Sequence, residues 1–391
     1  MTHRRRSGPI LFALAALVGL AGCSADTAST TPLNWQKVET STTGLNGSVL
    51  GLDNPSPMNP APFDQIGNFT VSAFKDAGVT SLYYGGADAS GTCPGINTSH
   101  WRIGLAQSTD GVNFTRVPGM ELGGAILDNG APGAFDSYLT YRPHVLKDGA
   151  LFRMWYNGST RPFNDCTIQP NGPARLADNR RIGYAESSDG VHWTKFYDGA
   201  GEGGSVLPLG AAGEIDSQQV GYVWVIKDGA QYKMYYSAND AFNTWRVALA
   251  VSSDARHWTK VRGKNVNGSV LDLGGPGAFD VACAYQPSVV KEASNLYRMW
   301  YRGCQATAPT VGGPSQGVIG YAESNDGITW VKVKQGGPVG EALSKGAAGQ
   351  FDSGGLTTPA VFLDGTTWNM YYAGFDTTGR FLAGLARAPK Q

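Results

Sequence analysis

The chain has 391 residues, of which 31 are basic and 31 acidic, for a formal net charge of zero. Only 16% of the residues are charged, which excludes the basic surface of a nucleic-acid binder. With 54 Gly, 17 Tyr and 10 Trp, the composition favours turns and pleated strands over helices.

Residues 1–22 hold Arg4, Arg5 and Arg6 followed by an apolar run from Ile10 to Leu20. That order predicts a secretory signal, with an apolar core too short to span a bilayer comfortably. Leu20-Ala21-Gly22-Cys23 resembles a bacterial lipobox, which implies cleavage before Cys23 and a diacylglycerol on its sulfur. Residues 23–33 then read as a polar, lipidated tether. The expected location is exported and membrane-anchored. Without residues 1–22 the chain keeps 28 bases against 31 acids.

From residue 34 to 391 one unit recurs five times. An aromatic or aliphatic residue precedes Asp64, Asp136, Asp216, Asp280 and Asp352, and a second acid follows twelve residues later at Asp76, Asp148, Asp228, Glu292 and Asp364. Each unit continues with an aromatic strand such as Met154-Trp155-Tyr156 and a third strand such as Ile182-Gly183-Tyr184-Ala185. A Ser-x-Asp-Gly turn at Ser108, Ser187 or Ser324 (Ser252 opens a weaker copy) leads into a fourth strand. Four antiparallel strands repeated radially predict an all-β, five-bladed β-propeller. The fifth unit lacks its fourth strand, and Asn34-Trp35-Gln36-Lys37-Val38 matches His192-Trp193-Thr194-Lys195-Phe196. The N-terminal strand is therefore expected to close the ring, removing an open sheet edge.

Removing Cys23 leaves Cys93, Cys166, Cys283 and Cys304, an even number that favours disulfides in an exported chain. Their places in the repeat select Cys93–Cys166 and Cys283–Cys304. Long loops at 85–101, 158–181 and 302–317 mark the face where binding is expected. Positions that vary between units are the best substrate contacts: Arg142, Tyr222 and Gln286 six residues after the repeat Asp, and His144 and Trp224 two residues further on. Asp64, Asp136, Asp216 and Asp240 are the catalytic candidates, because glycoside hydrolysis needs two facing carboxylates. Alternatively, the repeated Asp side chains cap turns, since chemistry needed once has no reason to recur five times.

With these residues placed, the chain resembles the five-bladed propellers of the arabinanase, invertase and levansucrase superfamily, glycoside hydrolase families 43 and 32. The resemblance rests on the Phe-Asp-Ser entry, the Pro-x-Val inner strand, the Met-Trp-Tyr strand and the Ile-Gly-Tyr-Ala-Glu-Ser-x-Asp-Gly-x-x-Trp segment. It implies a saccharide ligand in the propeller channel and no organic cofactor; some relatives hold a structural calcium. In this superfamily a catalytic Asp usually precedes the inner-strand Pro. Here Arg142, Gln286 and Thr358 precede Pro143, Pro287 and Pro359, and no Asp-Pro occurs. A hydrolase that uses other acids and a carbohydrate-binding relative without chemistry both remain open at this point.

Overall fold

The computed structural model describes residues 1, 32–40, 46–90, 99–162, 179–265, 267–305 and 317–391. Cys23, Cys93 and Cys166 lie outside these residues, so the lipidation site and the first disulfide do too.

Twenty strands form five blades around a common axis. Blade one contains β2 (Gly67–Asp76), β3 (Val79–Ala87), β4 (Trp101–Ser108) and β5 (Thr115–Val117). Blade two is β6 (Leu139–Asp148), β7 (Leu151–Ser159), β8 (Arg181–Ser187) and β9 (Thr194–Phe196). Blade three is β10 (Gln219–Asp228), β11 (Gln231–Asn239), β12 (Trp245–Ser252) and β13 (Thr259–Val261). Blade four is β14 (Cys283–Ala293), β15 (Leu296–Cys304), β16 (Gly317–Ser324) and β17 (Val331–Lys332). Blade five has β18 (Gly355–Asp364), β19 (Thr367–Phe375) and β20 (Phe381–Pro389), completed by β1 (Gln36–Lys37) from the other end of the chain. The inner strands β2, β6, β10, β14 and β18 touch in cyclic order, and β18 returns to β2.

Closure follows the expected register: Gln36 pairs with Arg387 and Lys37 with Ala386, antiparallel. Leu50 bridges Ala383, as Leu127, Leu271 and Leu343 bridge the third strands of blades one, three and four. Leu33, which the sequence pattern leaves in the tether, is buried against Trp35 and Trp300, and its amide donates to Gln335 Oε1 at 2.8 Å.

Neighbouring blades are joined by bonds that repeat around the ring. On the inner strands, the side chain eight residues after the repeat Asp bonds the backbone of the next blade. Ser72 Oγ accepts from Val145 N and Ser288 Oγ from Val361 N, whereas His144 Nε2 donates to Val225 O at 2.9 Å and Trp224 Nε1 to Val289 O at 2.7 Å. Further out, Tyr83, Trp155, Tyr235 and Tyr371 donate to the Ser-x-Asp-Gly turn of the following blade, at Gly190, Ala255, Gly327 and Gly111. Trp300 is the exception. Its following blade is the one assembled from both termini and has no such turn, so Trp300 packs edge-on against Trp35 at 6.0 Å.

The turns are built as their residues dictate. Ser187 Oγ accepts from Gly190 N, while Asp189 Oδ1 accepts from the amides of Val191 and His192, holding its carboxyl well below the usual range. The fourth residue of the turn has positive φ in every copy, and in blade three it is Ala255 at φ 71°. Ala255→Gly is expected to raise stability by about 0.5–1 kcal/mol, read from the thermal midpoint, because only there does a Cβ occupy this left-handed position.

On the hairpin face, opposite the long loops, each acid twelve residues after the repeat Asp pairs with a lysine of the next blade. The pairs are Asp76–Lys147, Asp148–Lys227, Asp228–Lys291 and Asp364–Lys75. Blade five carries Leu363 at the lysine position, and Lys390 from the C-terminus reaches Glu292 at 3.0 Å instead. The circle of ion pairs thus also closes through a chain end.

Candidate functional site

The repeated aspartates do not meet in the channel. Each is buried inside its own blade and held by the same two partners. A tyrosine of the second strand donates its hydroxyl: Tyr84 to Asp64, Tyr156 to Asp136, Tyr236 to Asp216, Tyr301 to Asp280 and Tyr372 to Asp352, at 2.8–3.1 Å. A cation from the fourth strand completes the clasp: Arg116, Lys195, Lys260, Lys332 and, for blade five, Lys37, at 2.5–2.7 Å. Burial pushes the Asp64 carboxyl up, and Arg116 partly offsets it. Five copies of one clasp describe an architectural element: it neutralises a buried carboxylate and ties the blade's entry to its outer strand. The partners are a phenol and a cation rather than the turn amides that a cap would bond.

Asp240 has a local role as well. Its Oδ1 accepts from Phe242 N and Thr244 N, and its Oδ2 pairs with Arg246, whose Nε also reaches Asp272. Asp88 does the same with Arg102 and Asp128 in blade one. The four sequence candidates for catalysis, Asp64, Asp136, Asp216 and Asp240, therefore lie in four separate structural clusters rather than around one pocket.

His144 and Trp224 are likewise the inter-blade bonds described above. The acceptor of His144 Nε2 is a carbonyl, so that nitrogen carries a hydrogen. Burial lowers its pKa to about 4.

The residues that do converge sit one step nearer the mouth. Each inner strand has a bulge after its third residue or close to it, between Phe69 and Val71, Tyr141 and His144, Gly221 and Trp224, Tyr285 and Ser288, and Thr357 and Ala360. In blades two to five the bulge places Arg142, Tyr222, Gln286 and Thr358 at φ of 57°, 48°, 56° and 43°. A bulge re-aims a side chain, and left-handed backbone at non-glycine residues is tolerated where the surroundings enforce it. These four residues, with Pro143, Pro287 and Pro359, line a pocket on the axis. Only about 30 Å³ of it is open to the centre of a water-sized molecule, too little for a sugar ring to descend the channel.

Around this pocket the rim is aromatic and cationic. The Arg142 guanidinium carbon stands 3.7 Å from the centre of the Tyr222 ring and Arg180 stands 4.6 Å from it. Tyr222, Trp245 and Tyr285 pack together at 5.2–5.7 Å, Arg180 Nε donates to Tyr141 at 2.6 Å, and Arg302 donates to Tyr285 at 2.7 Å. Cys283 and Cys304, directly opposed on β14 and β15, form the expected disulfide at the end of this cluster. Among the described residues that line the axial pocket there is no carboxylate. Nor, among them, do three or more His, Cys, Asp or Glu converge on one point. A guanidinium, an amide and a hydroxyl do not fit a calcium ion, which takes oxygen ligands that include carboxylates.

Sequence reasoning missed Tyr141, Arg180, Trp245, Tyr285 and Arg302, although Tyr141 and Tyr285 occupy equivalent places in units two and four. It also missed Phe242, which is almost fully exposed at the tip of the β11–β12 loop. The Asp240 and Arg246 network holds that loop, with Asn243 at φ 58°, so the ring is displayed on a fixed support.

No protein-family model matches the sequence. Two relatives come from Mycobacterium tuberculosis, and both carry the name uncharacterized protein. Rv1502 of strain H37Rv is 29% identical over 220 residues, 56% of this chain and 63% of its own length. MT1551 of strain CDC 1551 is 29% identical over 246 residues, 59% of this chain and 74% of its own. The match spans less than two thirds of Rv1502. Among solved structures, a glycosyl hydrolase from Bacteroides ovatus superposes with a TM-score of 0.59 at 17% identity, covering 91% of this chain and 94% of its own. A β-1,2-mannobiose phosphorylase from Listeria innocua gives 0.57 at 14% identity, with 83% and 90% covered. At such identities the likeness concerns the fold, which is that of propellers of the glycoside hydrolase type. The narrower resemblance to families 43 and 32 finds no match among these proteins.

Proposed function

We propose that this protein is an exported, lipid-anchored propeller that binds a saccharide across the mouth of the ring and does not cleave it. The observation that carries the reading is the mouth itself. Its phenols are buried, but among its described residues Arg142 and Trp245 are half-buried, and a guanidinium and an indole can hydrogen-bond sugar hydroxyls and stack on a sugar face. The four acids expected from the sequence to serve hydrolysis, Asp64, Asp136, Asp216 and Asp240, are held in blade clasps and in the Asp240 loop. The structural neighbours named as glycosyl hydrolase and mannobiose phosphorylase favour a carbohydrate ligand for the shared fold. Attachment through Cys23 rests on the lipobox resemblance and would hold the protein at a membrane surface.

A screen of the full chain against oligosaccharides and polysaccharides, reading both binding and product release, tests the proposal. Binding without bond cleavage is expected, and Phe242→Ala should weaken it by roughly 3- to 10-fold through loss of a stacking face. Turnover would overturn the non-catalytic reading in favour of a hydrolase. Loss of that turnover in Asp136→Asn with Asp216→Asn, with folding retained, would return the clasp aspartates to the catalytic role expected from the sequence.

A further inference from the structure

The axial pocket contains buried polar atoms of one kind. Arg142 Nε and Nη1, Gln286 Nε2 and Thr358 Oγ1 are all buried and have no hydrogen-bond partner among the described residues. The orientation of the Gln286 amide is fixed, because its Oε1 accepts from Thr358 N at 3.0 Å and from the Thr357 hydroxyl, which leaves the NH2 group pointing elsewhere. Three of these four atoms can only donate, and the fourth is a hydroxyl that can do so. Buried donors without acceptors are costly, so such a cluster signals a missing acceptor. The guanidinium is also rigidly placed: it lies on the Tyr222 ring, and its backbone is set by the bulge.

We propose that this pocket is a carboxylate subsite that takes the acid group of a uronic acid residue while the sugar ring lies over the mouth. The planar guanidinium of Arg142 would engage both carboxylate oxygens, with Gln286 Nε2 and the Thr358 hydroxyl donating to the remaining lone pairs. The pocket is too narrow for a sugar ring, and a small planar group suits its opening better. Burial pushes the Arg142 pKa down, with Arg180 adding to that effect and Tyr222 opposing it, yet arginine stays cationic at any ordinary pH. This assignment rests on the saccharide-binding reading and narrows its ligand to acidic glycans.

The test titrates the full chain with oligogalacturonides and glucuronate-containing oligosaccharides, each beside its carboxyl-reduced neutral counterpart. The acidic form is expected to bind about 10- to 100-fold more tightly. Arg142→Gln should erase that preference, the ratio of acidic to neutral affinity falling to about one whatever it does to the affinity for either form. Glutamine already occupies the equivalent left-handed position in blade four, at φ 56°, so the backbone accepts it. Gln286→Glu supplies an independent variant: it keeps the acceptor for Thr358 N, replaces the donor by a carboxylate, and should also abolish the preference. Equal affinity for acidic and neutral forms would overturn the subsite while leaving saccharide binding standing. So would an acid preference that both variants retain. If no saccharide of either kind bound, both readings would fall together.

Discussion

Lys37→Met is expected to destabilise the ring by about 3 kcal/mol, measured by thermal or urea unfolding of the full chain. Lys37 is the only cation within ion-pair distance of the carboxylate of Asp352 among the described residues, and Asp352 is 1% exposed. Removing one partner leaves an uncompensated buried charge, the costly way to break such a pair. The value sits at the lower end of the usual range because Lys37 keeps 22% of its side-chain surface, so water can partly replace the ammonium. Adding Asp352→Asn should recover part of the loss, since the neutral amide still accepts from Tyr372 and no longer needs a cation. Lys260→Met removes the corresponding cation of Asp216 in blade three. It should cost a similar amount without loosening the seam, so exposure of the β20 edge to proteolysis should increase only in the Lys37 variant. A midpoint unchanged by Lys37→Met would show that the clasp does not hold the closure.

Acid is expected to weaken the fold through His144. Its folded pKa is about 4 against 6.5 for the free side chain, so the unfolded chain binds the proton first as pH falls. The sign follows: the contribution is fully present above pH 6.5 and is lost as pH drops towards 4. At about 1.4 kcal/mol per pKa unit, the loss approaches 3 kcal/mol. The imidazole is enclosed by the Trp155 and Trp224 rings and bonded to Val225 O, with no carboxylate among these contacts to stabilise a charge. His144→Gln removes the titration, so the stability gap between wild type and variant should shrink by that amount between pH 7 and 4. A gap that stays constant over this range would contradict the assignment.

Fold and site were legible in the sequence to different degrees. Blade number and closure could be read because the Asp entries and the Lys37 segment recur in register, and the structure adds only the pairing of Gln36 with Arg387. His144 and Trp224 join blades, a role their sequence pattern hides for a physical reason, and Trp224 also lines the axial pocket. Their variation beside Ser72 and Ser288 suggested a ligand site, yet a hydroxyl accepting from an amide and a ring N–H donating to a carbonyl make the same bond between blades. Sequence variation at one position was chemical redundancy. The clasps were hidden differently: each Asp meets a cation far along the chain, at separations of 52 and 59 residues in blades one and two, and at the opposite end of the chain for blade five. Arg142, Tyr222 and Gln286 were visible because their variation is not compensated in that way. The bulge that turns them inward has no sequence signature that was recognised.

The seam at blade five also imposes a timetable. Gln36 is among the first residues of the domain to be made and Arg387 among the last, and the ion pair of Lys390 comes later still. At synthesis rates of about 5–20 residues per second, the first strand waits on the order of tens of seconds for its partner. During that interval four blades can form while Trp35 and Leu33 have no core to enter, and Trp300 has nothing to cover it. A nascent chain in this state is sticky at both ends, and keeping it extended until its last strand is made would spare it a premature, open ring.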